Sequence, residues 1–381
     1  MKKIVLSTLA ALTLGSVVAN ASALKLYQDE NGQVFTKYAE GRVALKSSTP
    51  VYSKASKLKF SGVSYIGATA KNYSNPDKTE AQMEIRRSYL QLKAYFLEDT
   101  KSYFRVTYDL HSDADSNLAP RAKYAYLYLN EVLPSTGVEI GLAHRPWHDY
   151  EQNNSWLYRN ISKVFAEDKN YGADLSNSAD FGVMTKTRTQ YFDADIGIFN
   201  GEGYYGEQNS NNGLSLEWRA TAHILGVNGK GKQTKKTYFD ASFYGQYNQA
   251  HKRVGSVDED LVFMGLHTVY NQPSFLVSAQ YIFSQDTRSG TVVSGQAGSG
   301  YSLNGEYRLG EHKEYSILAR YDSWTSKMAN SSDEEANTGV IVGGAWKQSQ
   351  NVKWIGNIIV TDNKSNQEDN TAYMVTAEVK F

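Results

Sequence analysis

Apolar and polar residues alternate along most of this chain, and the last eleven residues show the pattern in its simplest form. The odd-numbered positions are Thr371, Tyr373, Val375, Ala377, Val379 and Phe381, and the even-numbered positions include Thr376, Glu378 and Lys380. A period of two with one apolar and one polar face indicates a β-strand with an apolar environment on one side. We therefore predict a strand over 371–381 whose odd-numbered residues face lipid.

The same alternation recurs in sixteen segments. They are roughly 57–69, 83–96, 102–111, 121–130, 137–146, 179–188, 190–200, 213–225, 236–249, 259–270, 274–285, 299–309, 314–325, 338–348, 352–362 and 371–381. Short connections such as 98–101 and 310–313 alternate with long polar ones such as 70–82 and 326–337. Short turns on one side of a membrane and longer loops on the other are typical of outer-membrane barrels. The predicted fold class is all-β, a sixteen-stranded antiparallel transmembrane β-barrel.

Two stretches do not follow this rhythm. Residues 147–178 form a connection of 32 residues, and a loop of that length usually has a function. We expect it to fold into the pore and narrow it; the alternative is an external loop that packs on its neighbours. Residues 24–56 contain a turn signal at 29–32. They are expected to form a short N-terminal periplasmic arm before a barrel over 57–381.

The first 23 residues have the features of a secretory signal peptide. Lys2 and Lys3 precede an apolar stretch over 4–18, and Ala21 and Ala23 provide a small-residue cleavage site. The rest of the chain contains no apolar run of 18 residues, which excludes a helical membrane span. A mean hydropathy of −0.52 is compatible with a barrel, because only alternate strand residues contact lipid. We expect export to the outer membrane of a Gram-negative bacterium.

Composition and motifs argue against several function classes. The chain has no cysteine, which excludes thiolate catalysis and cysteine-based metal sites, and its 40 basic and 40 acidic residues give no reason to expect nucleic acid. The G-x-G-x-x-G match at 201–206 is not followed by a helix pattern and indicates an external turn. Residues 113–117 imitate a calcium loop, but Leu118 occupies its glycine position, so at most a weak surface site remains open. No cofactor, metal centre or enzyme activity is predicted; a barrel hydrolase is the least favoured reading.

Two neighbouring predicted strands resemble those of a known protein family. The run Ile85-Arg86-Arg87-Ser88-Tyr89-Leu90-Gln91-Leu92, followed by Phe104-Arg105-Val106-Thr107-Tyr108-Asp109-Leu110, resembles the phosphate-selective porin O and P family. Stretches 138–141, 181–183 and 197–201 look like later strands of that family, so the likeness covers about 57–205. It implies a trimeric sixteen-stranded porin with an N-terminal periplasmic arm and a leaning toward anions.

The charges that parity places inside nearly balance, unlike the arginine-lined lumen of that family's anion-specific members. Ten are basic and eight are acidic: Arg87, Lys93, Arg105, Lys186, Arg188, Arg219, Arg308, Arg320, Lys353 and Lys380, against Asp109, Asp193, Asp195, Glu217, Asp240, Glu306, Asp322 and Glu378. A charge that faces lipid near the midplane costs about 2–4 kcal/mol, which is why parity is informative. We predict at most a weak anion preference.

The candidate pore-lining and constriction residues come from the resembling strands and the long loop. They are Arg87, Tyr89, Lys93, Arg105, Asp109, Trp156, Tyr158, Arg159, Lys163 and Arg188. Cations at a narrow, partly desolvated passage would attract anions, whereas the alternative for Arg87 and Arg105 is a salt bridge within the wall. The function predicted is a homotrimeric outer-membrane porin for passive diffusion of small hydrophilic solutes and ions. The main alternative is a barrel that serves as an adhesin or structural surface protein.

Overall fold

The computed structural model describes residues 27–31, 33–35, 38–44, 58–75, 78–95, 99, 101–112, 118–206, 213–227, 236–254, 257–287, 297–327, 334–363 and 369–381. The chain divides into two compact units, residues 1–56 and residues 57–381. The expected signal peptide lies outside the described residues. The described part of the chain contains no helix long and apolar enough to cross a membrane.

The first unit contains a small antiparallel sheet. Its strands are β1 (Tyr27–Gln28), β2 (Val34–Phe35) and β3 (Val43–Ala44), with β1 in the middle. Asp29 Oδ1 accepts hydrogen bonds from the backbone N–H groups of Asn31 at 3.0 Å and Gln33 at 2.8 Å. An aspartate that bonds the backbone two residues on is a common turn device, and it places the β1–β2 turn at the predicted signal.

The second unit is a closed barrel of sixteen antiparallel strands, which confirms the predicted fold class. The strands are β4 (Leu58–Tyr73), β5 (Thr79–Ala94), β6 (Tyr103–Ser112), β7 (Leu118–Leu133), β8 (Thr136–His144), β9 (Ala179–Arg188), β10 (Phe192–Phe199), β11 (Ser215–His223), β12 (Tyr238–Val254), β13 (Val257–Gln272), β14 (Phe275–Thr287), β15 (Gly298–Leu309), β16 (Tyr315–Lys327), β17 (Glu334–Lys347), β18 (Val352–Asn363) and β19 (Asn370–Lys380). Each strand pairs with the next in sequence, and β19 pairs with β4 to close the ring.

Alternation assigns the two faces of the wall as predicted. In β19 the outward Tyr373 and Val375 are exposed, whereas the alternate residues Ala372, Met374 and Thr376 are buried. Exposed outward residues are apolar and buried inward residues are largely polar, because lipid rather than water surrounds such a barrel. The odd-numbered residues of 371–381 point outward, as the predicted parity requires.

The predicted strand ends were wrong at the end of the barrel that carries the long connections, here called the loop end. β4 continues to Tyr73 and β5 begins at Thr79, so most of the predicted 70–82 loop is paired strand. Lys71 lies opposite Glu80 there. Outside the apolar zone the outward face no longer has to be hydrophobic, so the ladder continues where the alternation has stopped.

Candidate functional site

The connection between β8 and β9 lies inside the barrel. This inward loop (145–178) contains the helix α1 (His148–Asn154). At its start Arg145 donates to Glu217 Oε1 at 2.8 Å and to Oε2 at 2.9 Å from Nε, and the Trp147 ring stacks on Tyr244 with centroids 3.6 Å apart. Tyr150 then donates to Asp240 at 2.7 Å. These contacts fasten the first third of the loop to β11 and β12.

The middle of the loop is held farther around the wall. Tyr158 donates its hydroxyl hydrogen to Glu306 on β15 at 2.6 Å, and Arg320 on β16 donates to the Lys163 carbonyl at 2.9 Å. The Arg320 guanidinium also lies 4.7 Å from the centroid of the Trp156 ring. The loop is therefore attached to the β11–β16 side of the barrel by side-chain hydrogen bonds from several strands.

Two segments, 261–270 and 339–347, are apolar on both faces in the sequence, so alternation alone does not show which face points inward. Inward-facing Leu261 and Phe263 of β13 pack against the loop in one apolar cluster, and Ile341 of β17 packs in another. A side chain at Gly339 would overlap the Tyr171 ring of the loop. Strands 261–270 and 339–347 are apolar on both faces because one face meets lipid and the other meets the loop.

Strands β4 to β8 form the opposite side of the lumen. We call the inward faces of β4 to β8 the open wall. Two β-bulges change which residues face inward there. Arg86 has no ladder partner between the pairs Tyr65–Arg87 and Ile66–Ile85, and Lys123 has none between Thr107–Tyr124 and Tyr108–Ala122. A bulge re-aims one side chain, so each adds a basic residue to the lumen.

Three cavities adjoin the inward loop. The upper cavity, about 440 Å³, is lined by Lys71, Arg86 and Lys163 among others. The lower cavity, about 820 Å³, includes Glu306, Lys313 and Lys353. The side pocket, about 400 Å³, includes Tyr89, Arg105, Lys123 and Asp149. Tyr65 lines all three cavities, and Arg159 lines both the upper and the lower cavity. We call the level of Tyr65 and Arg159 the waist.

Ion pairs at the waist place cations toward the passage. Arg87 Nη1 lies 2.8 Å from Asp109 Oδ2, and Glu167 receives Arg159 at 3.1 Å and Lys163 at 3.2 Å. The Asp109 and Glu167 side chains are 2% and 3% exposed, whereas those of Arg87 and Lys163 are 23% and 21% exposed. A passing ion therefore meets more of Arg87 and Lys163 than of their carboxylates, whereas the Arg159 side chain is only 4% exposed.

Arg86 supports the loop from the open wall. It donates to the carbonyls of Asn160 at 3.1 Å and Ile161 at 3.2 Å, and to Glu84 at 3.0 Å. Parity had assigned only the second arginine of the pair to the lumen. Both arginines face inward, and the first joins the wall to the part of the loop next to Arg159.

Arg105 is positioned by hydrogen bonds rather than by a carboxylate. Its Nε donates to Thr107 at 3.0 Å, and its Nη1 contacts Tyr126 Oη at 3.3 Å and His144 Nε2 at 3.1 Å. Arginine has no acceptor, so His144 Nε2 accepts and its Nδ1–H donates to Glu139 at 2.9 Å. The wall salt bridge considered from the sequence is formed by Arg87, and in the described residues Arg105 forms none.

The structure brings together some of the ten candidate residues and separates others. Arg87, Tyr89, Asp109, Arg159 and Lys163 lie around the waist, and Arg105 lies in the adjoining side pocket. The other four have different positions: Lys93 over the Tyr103 ring near the end of β5, Arg188 paired with Asp195 at the end of β9, Tyr158 in the lower cavity, and Trp156 buried between the loop and the wall. Their roles in conduction stay predictions.

Four residues at the site were not singled out from the sequence. They are Tyr65, Arg86, Lys123 and Glu167. Tyr65 and Glu167 have no local signal that separates them from other wall and loop residues. Arg86 and Lys123 sit in bulges, which shift parity by one residue and are invisible to alternation. Only the Arg-Arg pair itself hinted at Arg86.

Burial gives the loop a dependence on pH. His148 is buried against Ser176, whose Oγ lies 3.3 Å from Nε2, while Nδ1 has no hydrogen-bond partner in the part of the chain that the structure describes. The pKa of His148 is lowered to about 3, chiefly by burial and also by Arg145 and Arg159, while Glu167 opposes the shift. A depressed pKa stabilises the folded loop fully above the ordinary value of 6.5, and that contribution is lost as pH falls toward 3.

We therefore expect the open-channel current to become noisier as pH falls from 6.5 to 4.5. Each pH unit in that window costs up to about 1.4 kcal/mol for one such group. The pKa of Glu167 is also lowered, through Arg159 and Lys163 against the opposing effect of burial, but its effect begins only below the ordinary glutamate value. A His148→Gln variant should show a smaller increase in noise over the same range. An equal increase in both proteins would rule out His148 as the cause.

Comparison with solved structures places this geometry among known barrels. An anion-selective porin from Comamonas acidovorans superposes with a TM-score of 0.65 at 13% identity, covering 85% of this chain and 99% of that one. The chain has a porin fold. OmpT, an outer membrane protein of Vibrio cholerae, gives a TM-score of 0.59 at 13% identity, with 85% and 97% covered. A Rh. blastica porin mutant gives 0.52 at 14% identity, with 85% and 100% covered. No protein-family model and no curated sequence matches this chain.

Proposed function

We propose that this protein is a porin of a Gram-negative outer membrane, which lets small hydrophilic solutes and ions diffuse passively. The observation that carries the proposal is the inward loop, which is fastened to one side of a sixteen-stranded barrel and leaves cavities with charged linings above and below the waist. A barrel of eight strands is filled by its own side chains, whereas one of sixteen leaves an aqueous lumen. Both ends of the loop continue directly into strands β8 and β9, so the loop is not a separate plug domain.

The waist favours anions. Five cations lie there or beside it, Arg86, Arg87, Lys123, Arg159 and Lys163, and their carboxylate partners are Glu84, Asp109 and Glu167. Two of the three carboxylates are almost fully covered. The anion-selective porin from Comamonas acidovorans and the resemblance of 57–205 to the phosphate-selective porins O and P agree with this direction. We infer a weak preference for anions rather than a specific phosphate site.

Selectivity can be tested with three neutralising variants. Removing a cation near the narrowest level should matter most, because salt screens charges beyond about 8 Å at physiological ionic strength. Arg87→Ala and Arg105→Ala should each shift the zero-current potential in a salt gradient toward cations. Lys101→Ala should not, since the Lys101 side chain is 66% exposed in the connection between β5 and β6. Unchanged potentials in both arginine variants would mean that these side chains serve only the wall.

The protein is further proposed to be a homotrimer. The support is the family resemblance together with small or shallow outward residues such as Ala68, Ala70 and Gly356, which line an apolar groove on the outer face of β4, β5 and β17 to β19. Closed symmetry would bury this face. Light scattering on detergent-extracted protein should give the mass of three chains, and a monomer at every concentration would refute the assembly.

A further inference from the structure

The side pocket is a recess that opens beside the upper and lower cavities. It lies between α1, which supplies Asp149 and Gln152, and the open wall, which supplies Tyr89, Arg105 and Lys123. Its volume of about 400 Å³ falls within the usual range for small-molecule sites. Such sites combine aromatic walls with a few directed polar groups, and this composition is present here.

Arg105 and Lys123, two basic residues of this pocket, form no salt bridge among the described residues. Arg105 uses Nε and Nη1 for wall hydrogen bonds, which leaves Nη2 without a protein acceptor in the described structure. Lys123 is 4% exposed, and its Nζ lies over the Tyr89 and Tyr124 rings at 4.7 and 5.4 Å from their centroids. The carboxylates it interacts with electrostatically, Asp109 and Glu167, are already paired with Arg87 and Arg159.

A further polar atom in the pocket has no partner. The Tyr89 hydroxyl is buried and makes no hydrogen bond in the described structure. Leaving a buried polar group unpaired costs about 1–3 kcal/mol, and a carboxylate oxygen would satisfy it. Tyr65, Tyr89 and Tyr124 supply three rings to the same space. Rings of this kind favour a flat apolar body.

Asp149 sets the charge that the pocket accepts. Its side chain is 47% exposed on the α1 side of the pocket, and Arg105 interacts with it electrostatically. A solute with one carboxylate, bound by Arg105 and Lys123, leaves the charges of the pocket balanced. A second negative charge on the solute would approach Asp149. A like charge at close range is unfavourable.

We propose that the side pocket binds aromatic monocarboxylates, with the carboxylate held by Arg105 and Lys123 and the ring packed against Tyr89 and Tyr124. This inference rests on the proposed porin function and names the solute class that the passage retains longest. Charge alone would treat acetate and an aromatic acid equally. The tyrosines distinguish them.

Benzoate is the probe, and acetate, cyclohexanecarboxylate and terephthalate are its controls. Each is added to single open channels in 1 M KCl, and its dissociation constant is read from current interruptions. Benzoate should bind about two- to tenfold tighter than cyclohexanecarboxylate, the gain expected from an aromatic pair. Terephthalate should bind more weakly than benzoate. Equal effects of benzoate and acetate would overturn the proposal.

Variants locate the site. Lys123→Gln and Arg105→Gln should each weaken benzoate about tenfold, the value of one charged hydrogen bond, and Lys123→Arg should keep most of the affinity. Tyr124→Leu should abolish the preference over cyclohexanecarboxylate. Lys71→Gln, which removes a lumen cation in the upper cavity, is the matched control and should leave benzoate affinity unchanged. Benzoate affinity that survives both charge variants would overturn the assignment.

The two proposals fail in distinguishable ways. Calorimetric titration of benzoate into the detergent-solubilised protein measures binding without any current. Binding without conductance would refute the porin function and leave the pocket standing, whereas conductance without binding would refute only the pocket. Wild-type migration on unheated gels shows that each variant has kept its barrel.

Discussion

Glu217→Ala should produce a wider and noisier channel. Glu217 receives the Arg145 guanidinium in a forked pair at the start of the inward loop, and both side chains are buried, at 5% and 2% exposed. Removing one partner of a buried pair leaves an uncompensated charge and costs about 3–5 kcal/mol. The first third of the loop should then leave the β11 wall, and single-channel conductance should rise.

The matched control removes both charges together. Replacing a buried ion pair by apolar residues of similar volume is often neutral or stabilising, so Arg145→Met combined with Glu217→Met should return the conductance toward the wild-type value. A single variant that conducts like the wild type, with the barrel intact on unheated gels, would mean that the remaining anchors such as Tyr150–Asp240 hold the loop without this pair.

Arg159 and Glu167 should shift selectivity in opposite directions. Arg159→Gln removes the cation that lines both cavities at the waist and leaves Glu167 with Lys163 alone. The channel should then prefer cations. Glu167→Gln frees Arg159 and Lys163 from their shared carboxylate, so the preference for anions should increase. Zero-current potentials in a tenfold salt gradient measure both changes.

Because the two expected shifts of the zero-current potential have opposite signs, each variant serves as the control for the other. A loss of loop structure would move both variants the same way, because either change disturbs the same buried contact. Shifts of equal sign would therefore point to loop rearrangement, and the absence of any shift would place the narrowest level elsewhere than Tyr65 and Arg159.

The wall of the barrel was predictable because each strand meets two different phases. Strands such as 371–381 show it directly, since lipid requires one parity to be apolar and the lumen tolerates charge on the other. The prediction was incomplete where a strand face meets the loop instead of the aqueous lumen, and where a strand extends beyond the apolar zone. Residues 261–270 are apolar on both faces because the inner face packs on the loop, and Lys71 to Tyr73 stay paired beyond the apolar zone.

The site was less predictable because its geometry depends on contacts distant in sequence. The bulge beside Arg87 turns Arg86 toward the loop carbonyls, and no alternation pattern records one unpaired residue. Trp156 was expected beside the passage, yet it is buried beneath the Arg320 guanidinium. Which side of a loop faces water is decided by the wall it packs on, and the loop sequence alone does not contain that wall.

Single-channel recording in planar bilayers shows directly whether an aqueous passage runs through the upper and lower cavities beside the inward loop. The refolded chain should give discrete, long-lived conductance steps that are ohmic at low voltage and grow with bulk salt, with a zero-current potential on the anion side. Protein that migrates as an intact barrel on unheated gels but gives no steps at any voltage would contradict the account and favour a closed surface scaffold.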